Sequence, residues 1–324
     1  LTSVLPVDRS FRAYLSRGQN AVKEGVIDSK RLVGNTSEIR NAQSTTTSAG
    51  GYLVPQSFAD RFESMLVAYD RLFDVATLFQ TTTGSATGYP ILEDTANAAA
   101  VVAENITSAA GPDLVFATLA FDKTPTWRSG MIRAAVELVN DSAFNFEQLL
   151  AGAGAARMAR GIGATFVSTL LSSATLGKTA AATTAITGDE LFDLVDSVDP
   201  AYQANGSWLM ARPTFTSLLK LKASTGGTYL FESAIDSAGR PTLLGFPVYL
   251  CPSMPAATAG LKAISFGDHS KFIRREVKGS LAVKTYVERY AELGQVGYEV
   301  FYRCDGGLLK SASNSPVKYL QMHA

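Results

Sequence analysis

Apolar residues recur at three- and four-residue steps from 145 to 173, NFEQLLAGAGAARMARGIGATFVSTLLSS, and this spacing predicts one long helix. Leu149, Ala153, Ala156, Gly163, Phe166, Leu170 and Leu171 fall on one stripe, and Asn145 with Gln148 has the spacing of a capping pair. At about 1.5 Å per residue the helix spans roughly 40 Å. Gly152, Gly154, Gly161 and Gly163 each cost it about 1 kcal/mol against alanine. Close backbone approach by a sheet or a neighbouring chain is the expected compensation; an ordinary core helix that tolerates its glycines is the alternative.

The rest of the chain is arranged around that helix. Residues 1–49 are polar and aperiodic apart from a short helical stretch at Phe11 and Tyr14, and they end in a Ser/Thr run. Up to residue 40 they carry seven basic and four acidic side chains. Such a segment cannot fold alone, so it reads as an arm that orders on another surface or as a loose tail. After Gly50-Gly51-Tyr52-Leu53-Val54-Pro55, Ser57 is placed to cap a helix with Phe58, Phe62, Met65, Leu66 and Tyr69 on its apolar face. A strand is expected over 72–79.

From Tyr89 to Ile132 two extended arms flank a small-residue centre with a turn at Gly111-Pro112, and Val115, Ala117, Leu119 and Phe121 alternate. This predicts a two-stranded projection, with Lys123, Trp127 and Arg128 on its returning strand. A lone hairpin is marginal in water, so it should lie on something. Trp127 suits local packing or an intersubunit anchor equally. Beyond the long helix, Thr187 and Glu190 form a capping box ahead of Leu191, Leu194, Val195 and Val198. Strands are expected at SWLMA, 229–231, 246–251 and 263–266, with a helix opened by Pro213. These make a compact α+β unit over about 180–265. Strands over 277–290 and 294–303, with Val296, Tyr298, Val300 and Tyr302 on one side, return to the long helix.

Composition narrows the function. The 324 residues are 46% hydrophobic, with 29 basic and 29 acidic side chains, so no general attraction to nucleic acid or anionic membranes is expected. Zero net charge also removes a barrier to self-association. No apolar run suits a membrane span and no signal peptide opens the chain, which points to a cytosolic origin. Leu1 in place of methionine implies a processed or incomplete chain. Cys251 and Cys304 are isolated and read as buried thiols.

Motifs of catalysis fail on context. Gly177-Lys178-Thr179 ends like a phosphate loop, but Ser172 stands where the first glycine belongs and a helix precedes it. Gly152 and Gly154 lie inside a helix, not in a dinucleotide loop. Ser217 and Lys220 match S-x-x-K without its companion motifs. His269 and His323 are the only histidines; His269 has no nucleophile elbow to serve, and His323 stands next to the C-terminus. Glu190, Asp193, Asp196 and Asp199 read as a solvated helix edge. No catalytic residue, cofactor or metal site is expected, and the chain is read as no enzyme.

In order and spacing, the blocks GGYLVP, VELVND, GDELFDLVDSVDPAYQANGSWLMARPTFTSLLKLK, TLLGFPVYLCPSMP, AISFGDHSKFIRR and VGYEVFYRCDGGLL resemble the major capsid proteins of tailed bacteriophages, over about 45–312. The resemblance implies an α+β, Hong Kong 97-type (HK97-like) fold: an N-terminal arm at 1–49, the start of a peripheral domain at 50–83 and an extended loop, a β-hairpin, at 84–135. The spine helix at 136–180, an axial domain at 181–265 and a return to the peripheral domain at 266–324 complete it. Function would be that of a shell subunit joined by contacts between unlike patches that close into rings. Implied partners are copies of itself in hexamers and pentamers, a portal, a scaffold or maturation protease, decoration proteins, and double-stranded DNA packaged without sequence specificity. The implied location is the virion, assembled in the host cytoplasm. Phe11, Tyr14, Lys123, Trp127 and Arg128 are the expected intersubunit contacts. Some members lock the shell by Lys–Asn isopeptide bonds. Here Lys123 stands where the loop lysine would be, but no asparagine occurs between residues 206 and 313, so a non-covalent lattice is expected. An encapsulin-like compartment shell is the alternative of the same architecture; a hydrolase using a histidine and a DNA-binding module are alternatives of other classes.

Overall fold

A computed structural model describes residues 52–53, 56–93, 115–137, 146–222, 241–310 and 314–324. The first part runs β1 (Tyr52–Leu53), α1 (Gln56–Tyr69), α2 (Leu72–Val75), β2 (Thr77–Thr81), β3 (Thr87–Glu93), β4 (Val115–Phe121), β5 (Thr126–Arg128) and β6 (Ile132–Ala135). The long helix α3 (Phe146–Ser173) follows, then β7 (Thr175–Thr179), α4 (Gly188–Ser197), α5 (Pro200–Gln203), β8 (Ser207–Met210) and α6 (Arg212–Leu219). The chain ends with β9 (Thr242–Leu243), β10 (Phe246–Leu250), β11 (Lys262–Gly267), β12 (Phe272–Val277), β13 (Ala282–Tyr286), β14 (Gln295–Leu308) and β15 (Val317–Gln321). The arm at 1–49, with Phe11 and Tyr14, and the strand expected at 229–231 lie outside the described residues.

Two sheets organise two cores. The seven-stranded sheet is built on β14, a 14-residue strand that pairs with β5, β6, β12 and β13, while β1 and β2 form its margins. Its alternation delivers Val296, Tyr298, Val300 and Tyr302 to one face, all buried beneath α3. Helix α1 packs on α3 through Phe58, Phe62 and Leu66, and Phe62 meets the Tyr302 ring at 5.6 Å. The six-stranded sheet, in order β7-β15-β11-β8-β10-β9, carries the second core of Leu191, Leu194, Trp208, Phe215, Leu218 and Phe266.

The long helix matches the expected span, and Ala156, Gly163, Phe166, Leu170 and Leu171 of the expected stripe are buried, but the N-terminal part of its buried face is turned. Leu149 is 63% exposed and Ala153 half-buried, and Leu150, Ala151, Gly154, Ala155, Met158, Ala159 and Ile162 face the core in that half of the helix. The cause is Gly154, whose bare backbone lies against β14 where a Cβ would stand 2.8 Å from Val300 Cγ2. That placement rotates Leu149 outward and leaves Arg157 and Arg160 in solvent. Close approach therefore does account for the small residues at Gly154 and Gly163.

Other expectations shift as well. Residues 72–75 form the helical turn α2, with the strand starting only at Thr77, because Leu72 and Phe73 both drop into the core from one side. Ser57, expected as the cap, lies within the first turn of α1. The tail does not stay with the first sheet: β15 pairs β11 antiparallel and β7 parallel, so residues 317–321 belong to the second. Leu320 and Met322 are buried in the second core and hold the tail there, while Val317 at its start is buried in the first.

Candidate functional site

Strands β3 and β4 form a two-stranded sheet of their own, paired from Thr87 opposite Phe121 to Glu93 opposite Val115. Alternation sorts its side chains. Tyr89, Ile91, Ala117 and Leu119 are half-buried on one face, while Gly88, Pro90, Phe116 and Thr118 are exposed on the other. Phe116 is 73% exposed, the most open large apolar side chain among the described residues. Among the described residues neither edge of this ribbon is paired, and with its open apolar ring that makes it an incomplete element.

Its root, by contrast, is held firmly. Phe121 is buried against Phe79 of β2 at 6.5 Å, and Phe79 meets Tyr89 edge-on at 5.1 Å. Arg275, fully buried on β12, donates through Nη1 to the Asp122 carbonyl at 3.0 Å. Through Nη2 it reaches the carbonyls of Thr83 at 3.1 Å and Ser85 at 2.6 Å. The same guanidinium stands over the Phe121 ring at 5.9 Å. One arginine thus touches the chain both as it enters and as it leaves the hairpin. Arg303 on β14 supports it: Nη2 donates to the Thr124 carbonyl at 3.4 Å, and a Cβ on Gly84 would collide with its guanidinium. The Thr124 amide closes the root by donating to Gly84 at 3.0 Å.

Of the residues singled out in the sequence, Lys123 is exposed in the bend after β4. Trp127 and Arg128 are not on the returning strand. They lie on β5, inside the seven-stranded sheet, because Phe301–Arg303 of β14 captures Thr126–Arg128. Trp127 donates from Nε1 to the Cys304 carbonyl at 3.1 Å and packs on the first core, the local packing that its sequence context allows. Arg128 is exposed with its guanidinium 5.2 Å from the Phe301 ring centre. Sequence reasoning missed Arg275 and Arg303; two adjacent arginines in the apolar strand FIRREV were the available signal for the first.

The groups weighed as chemistry are occupied otherwise. His269 is buried between Ser207 Oγ at 2.8 Å and Ser265 Oγ at 3.0 Å, and burial lowers its pKa to about 4. Burial raises the thiols of Cys251 and Cys304, so neither is a ready nucleophile. Lys178 of the false phosphate loop lies on β7 and pairs with Asp193 at 2.6 Å. Glu190 is not part of a solvated edge: it is buried, closing the capping box with Thr187 and accepting from the Ala181 amide at 2.7 Å. Asp199 accepts from the Ala201 amide and from Asn314, which hold its carboxyl below the usual range. Among the described residues no three His, Cys, Asp or Glu side chains group as metal ligands, and no helix is long and apolar enough to cross a membrane.

The phage capsid family matches residues 50–321. No curated protein matches the chain in sequence. Among solved structures, the capsid of a native GTA particle is similar with a TM-score of 0.62 at 21% identity, over 92% of this chain and 100% of that one. A Mycobacterium phage Bobi chain is similar with a TM-score of 0.56 at 14% identity, covering 92% of this chain and 100% of its own. A Gordonia phage Cozz chain gives 0.59 at 11% identity, over 79% and 87%. These likenesses agree with the α+β, HK97-like fold expected from the sequence.

Proposed function

This chain belongs to the phage capsid family, and from that membership we propose that it is the major capsid subunit of a tailed-phage head, joining copies of itself into a closed icosahedral shell. The observation that carries the mechanism is the β3–β4 ribbon, rooted in its own subunit yet bearing an exposed Phe116 where the described strands are furthest from that root. An element fixed at its root and carrying an exposed apolar ring is suited to lie across a neighbour. Contacts of that kind join unlike patches, so they propagate around a ring and, with closure, tile a shell. Each is modest, and many together hold every subunit.

In this reading residues 84–135 comprise the extended loop and its root. The seven-stranded sheet with α1 and α3 is the peripheral domain, and the six-stranded sheet, now with β15, is the axial domain around the ring centres. The arm at 1–49 crosses to adjacent subunits. The work is geometric and needs no turnover. The protein resides in the virion after assembly in the host cytoplasm, with a portal and a scaffold or maturation protease taking part and decoration proteins joining the shell. Balanced charge suits a container that holds double-stranded DNA without gripping it. The encapsulin-like shell gains no support from the family match.

Electron microscopy of the purified full chain tests this. Closed shells, or rings of five and six, are expected. A subunit that stays monomeric at every concentration and ionic strength overturns the reading.

A further inference from the structure

We infer that Arg275 is the positioning residue of the assembly ribbon: its guanidinium ties both ends of the β3–β4 hairpin to β12 and so fixes the angle at which the hairpin leaves the subunit. The inference rests on the capsid-subunit reading for its consequence, but the clasp itself is a property of the single chain.

Three features support it. First, the contacts are divided between the two ends: the Thr83 and Ser85 carbonyls precede β3, and the Asp122 carbonyl follows β4. A hairpin that pivoted about its root would have to move one set relative to the other. Second, the planar fork suits three carbonyls at once, which a lysine ammonium on a flexible stem does not reproduce. Third, the second layer is already tight. Arg303 fills the space beside Gly84 that a side chain would otherwise take, and the Thr124 amide bonds across to Gly84. The Asp305 carboxyl and the Arg303 guanidinium are the charges nearest Arg275, one of each sign. With one end of a ribbon several residues long held so closely, a small change of pitch at the root becomes a large displacement at Phe116. A shell that closes by repeating one angle is sensitive to that displacement.

The test is amide hydrogen exchange and electron microscopy on the full chain, wild type against Arg275→Met and Arg275→Lys. In Arg275→Met the Thr124 amide is expected to exchange at least roughly tenfold faster while the amides of α3 keep their protection. Its shells are expected to be open or of mixed diameter, and Arg275→Lys should fall between. Leu194→Ala, in the second core, controls for general loosening and should leave Thr124 protected. Should Arg275→Met not fold, Gly84→Ala displaces Arg303 from the same root and must release the same amide. Unchanged Thr124 exchange in these variants overturns the clasp. Released Thr124 with shells of wild-type diameter overturns its role in setting the angle. A wild type that forms no shells overturns the capsid reading, and the exchange result still decides the clasp.

Discussion

Gly163 on the long helix faces the carboxylate of Asp70 so directly that a Cβ at that position would collide with Oδ2. Asp70 is buried, and it accepts from the Leu72 amide at 3.0 Å, Cys251 Sγ at 3.1 Å and Ser253 Oγ at 3.0 Å. One carboxylate therefore ties the α1–α2 corner to the segment after β10, and the helix passes over it only because residue 163 has no side chain. Gly163→Ala is expected to destabilise the subunit by about 1–3 kcal/mol through overpacking. Gly152, with nothing within 4 Å of a built Cβ, gives the opposite sign. There Gly152→Ala should stabilise by about 1 kcal/mol. Urea denaturation of the two variants checks both, and equal effects would sink the argument.

At the start of α4 the Glu190 carboxylate accepts from the Thr187 amide at 2.8 Å and from the Ala181 amide at 2.7 Å. Thr187 returns one bond to the Glu190 amide at 3.4 Å. Thr187→Ala is expected to cost about 1 kcal/mol, the ordinary value of a cap. Glu190→Ala should cost more, about 2–3 kcal/mol, because it strands two amides around a buried site. The order of the two melting temperatures is the measurement; a larger loss for Thr187→Ala would contradict the geometry.

His269 makes stability depend on pH with a definite sign. Its folded pKa is lowered to about 4 by burial, from an ordinary value of about 6.5. Between those values the unfolded chain binds the proton more readily, so stability rises with pH. The contribution is complete above about pH 6.5 and is lost as pH falls towards about 4, amounting to roughly 3 kcal/mol in all. Denaturation of wild type and His269→Gln across that range checks it. The difference between them should shrink as the solution is acidified, and a difference independent of pH would show that the imidazole is not held neutral.

Periodicity made the long helix legible, along with the Thr187 capping box and the buried side of β14, since each is written in local spacing. Facing was harder to read. Leu149 and Ala153 share a spacing with Phe166, yet which side of α3 turns inward was decided by the approach of Val300 to Gly154, residues far apart in sequence. The hairpin itself was visible in the alternation at 115–121, but not the place where it stops being free. Trp127 looked like part of the projection because nothing in TPTWRSG marks its capture by Phe301–Arg303. Arg275 could not be assigned a role from its own strand, because its partners are carbonyls of segments about 150 to 190 positions earlier.

The absence of asparagine between 206 and 313 bears on how a shell would be locked. Lys123 is exposed in the bend after β4 and free to meet a neighbour, but an isopeptide bond needs an amide acceptor on the opposing subunit. Assembled particles boiled in detergent are expected to run as a single band at 34.4 kDa or as processed pieces of it. A ladder of multiples would refute the non-covalent lattice.

Phe116 separates folding from assembly more sharply than any other side chain described. At 73% exposure its ring contributes little to the lone subunit, so Phe116→Ser should leave stability within about 0.5 kcal/mol. If the ribbon lies across a neighbour, burying that ring contributes about 1.5–3 kcal/mol at each contact. Because every 1.4 kcal/mol is a factor of about ten, the concentration needed for assembly should rise at least roughly tenfold. Light scattering over a dilution series measures this directly, beside a melting curve of the same preparation. Unaltered assembly in Phe116→Ser would mean that the exposed face of the hairpin meets solvent in the shell as well, and the ribbon would then have to act through its edges.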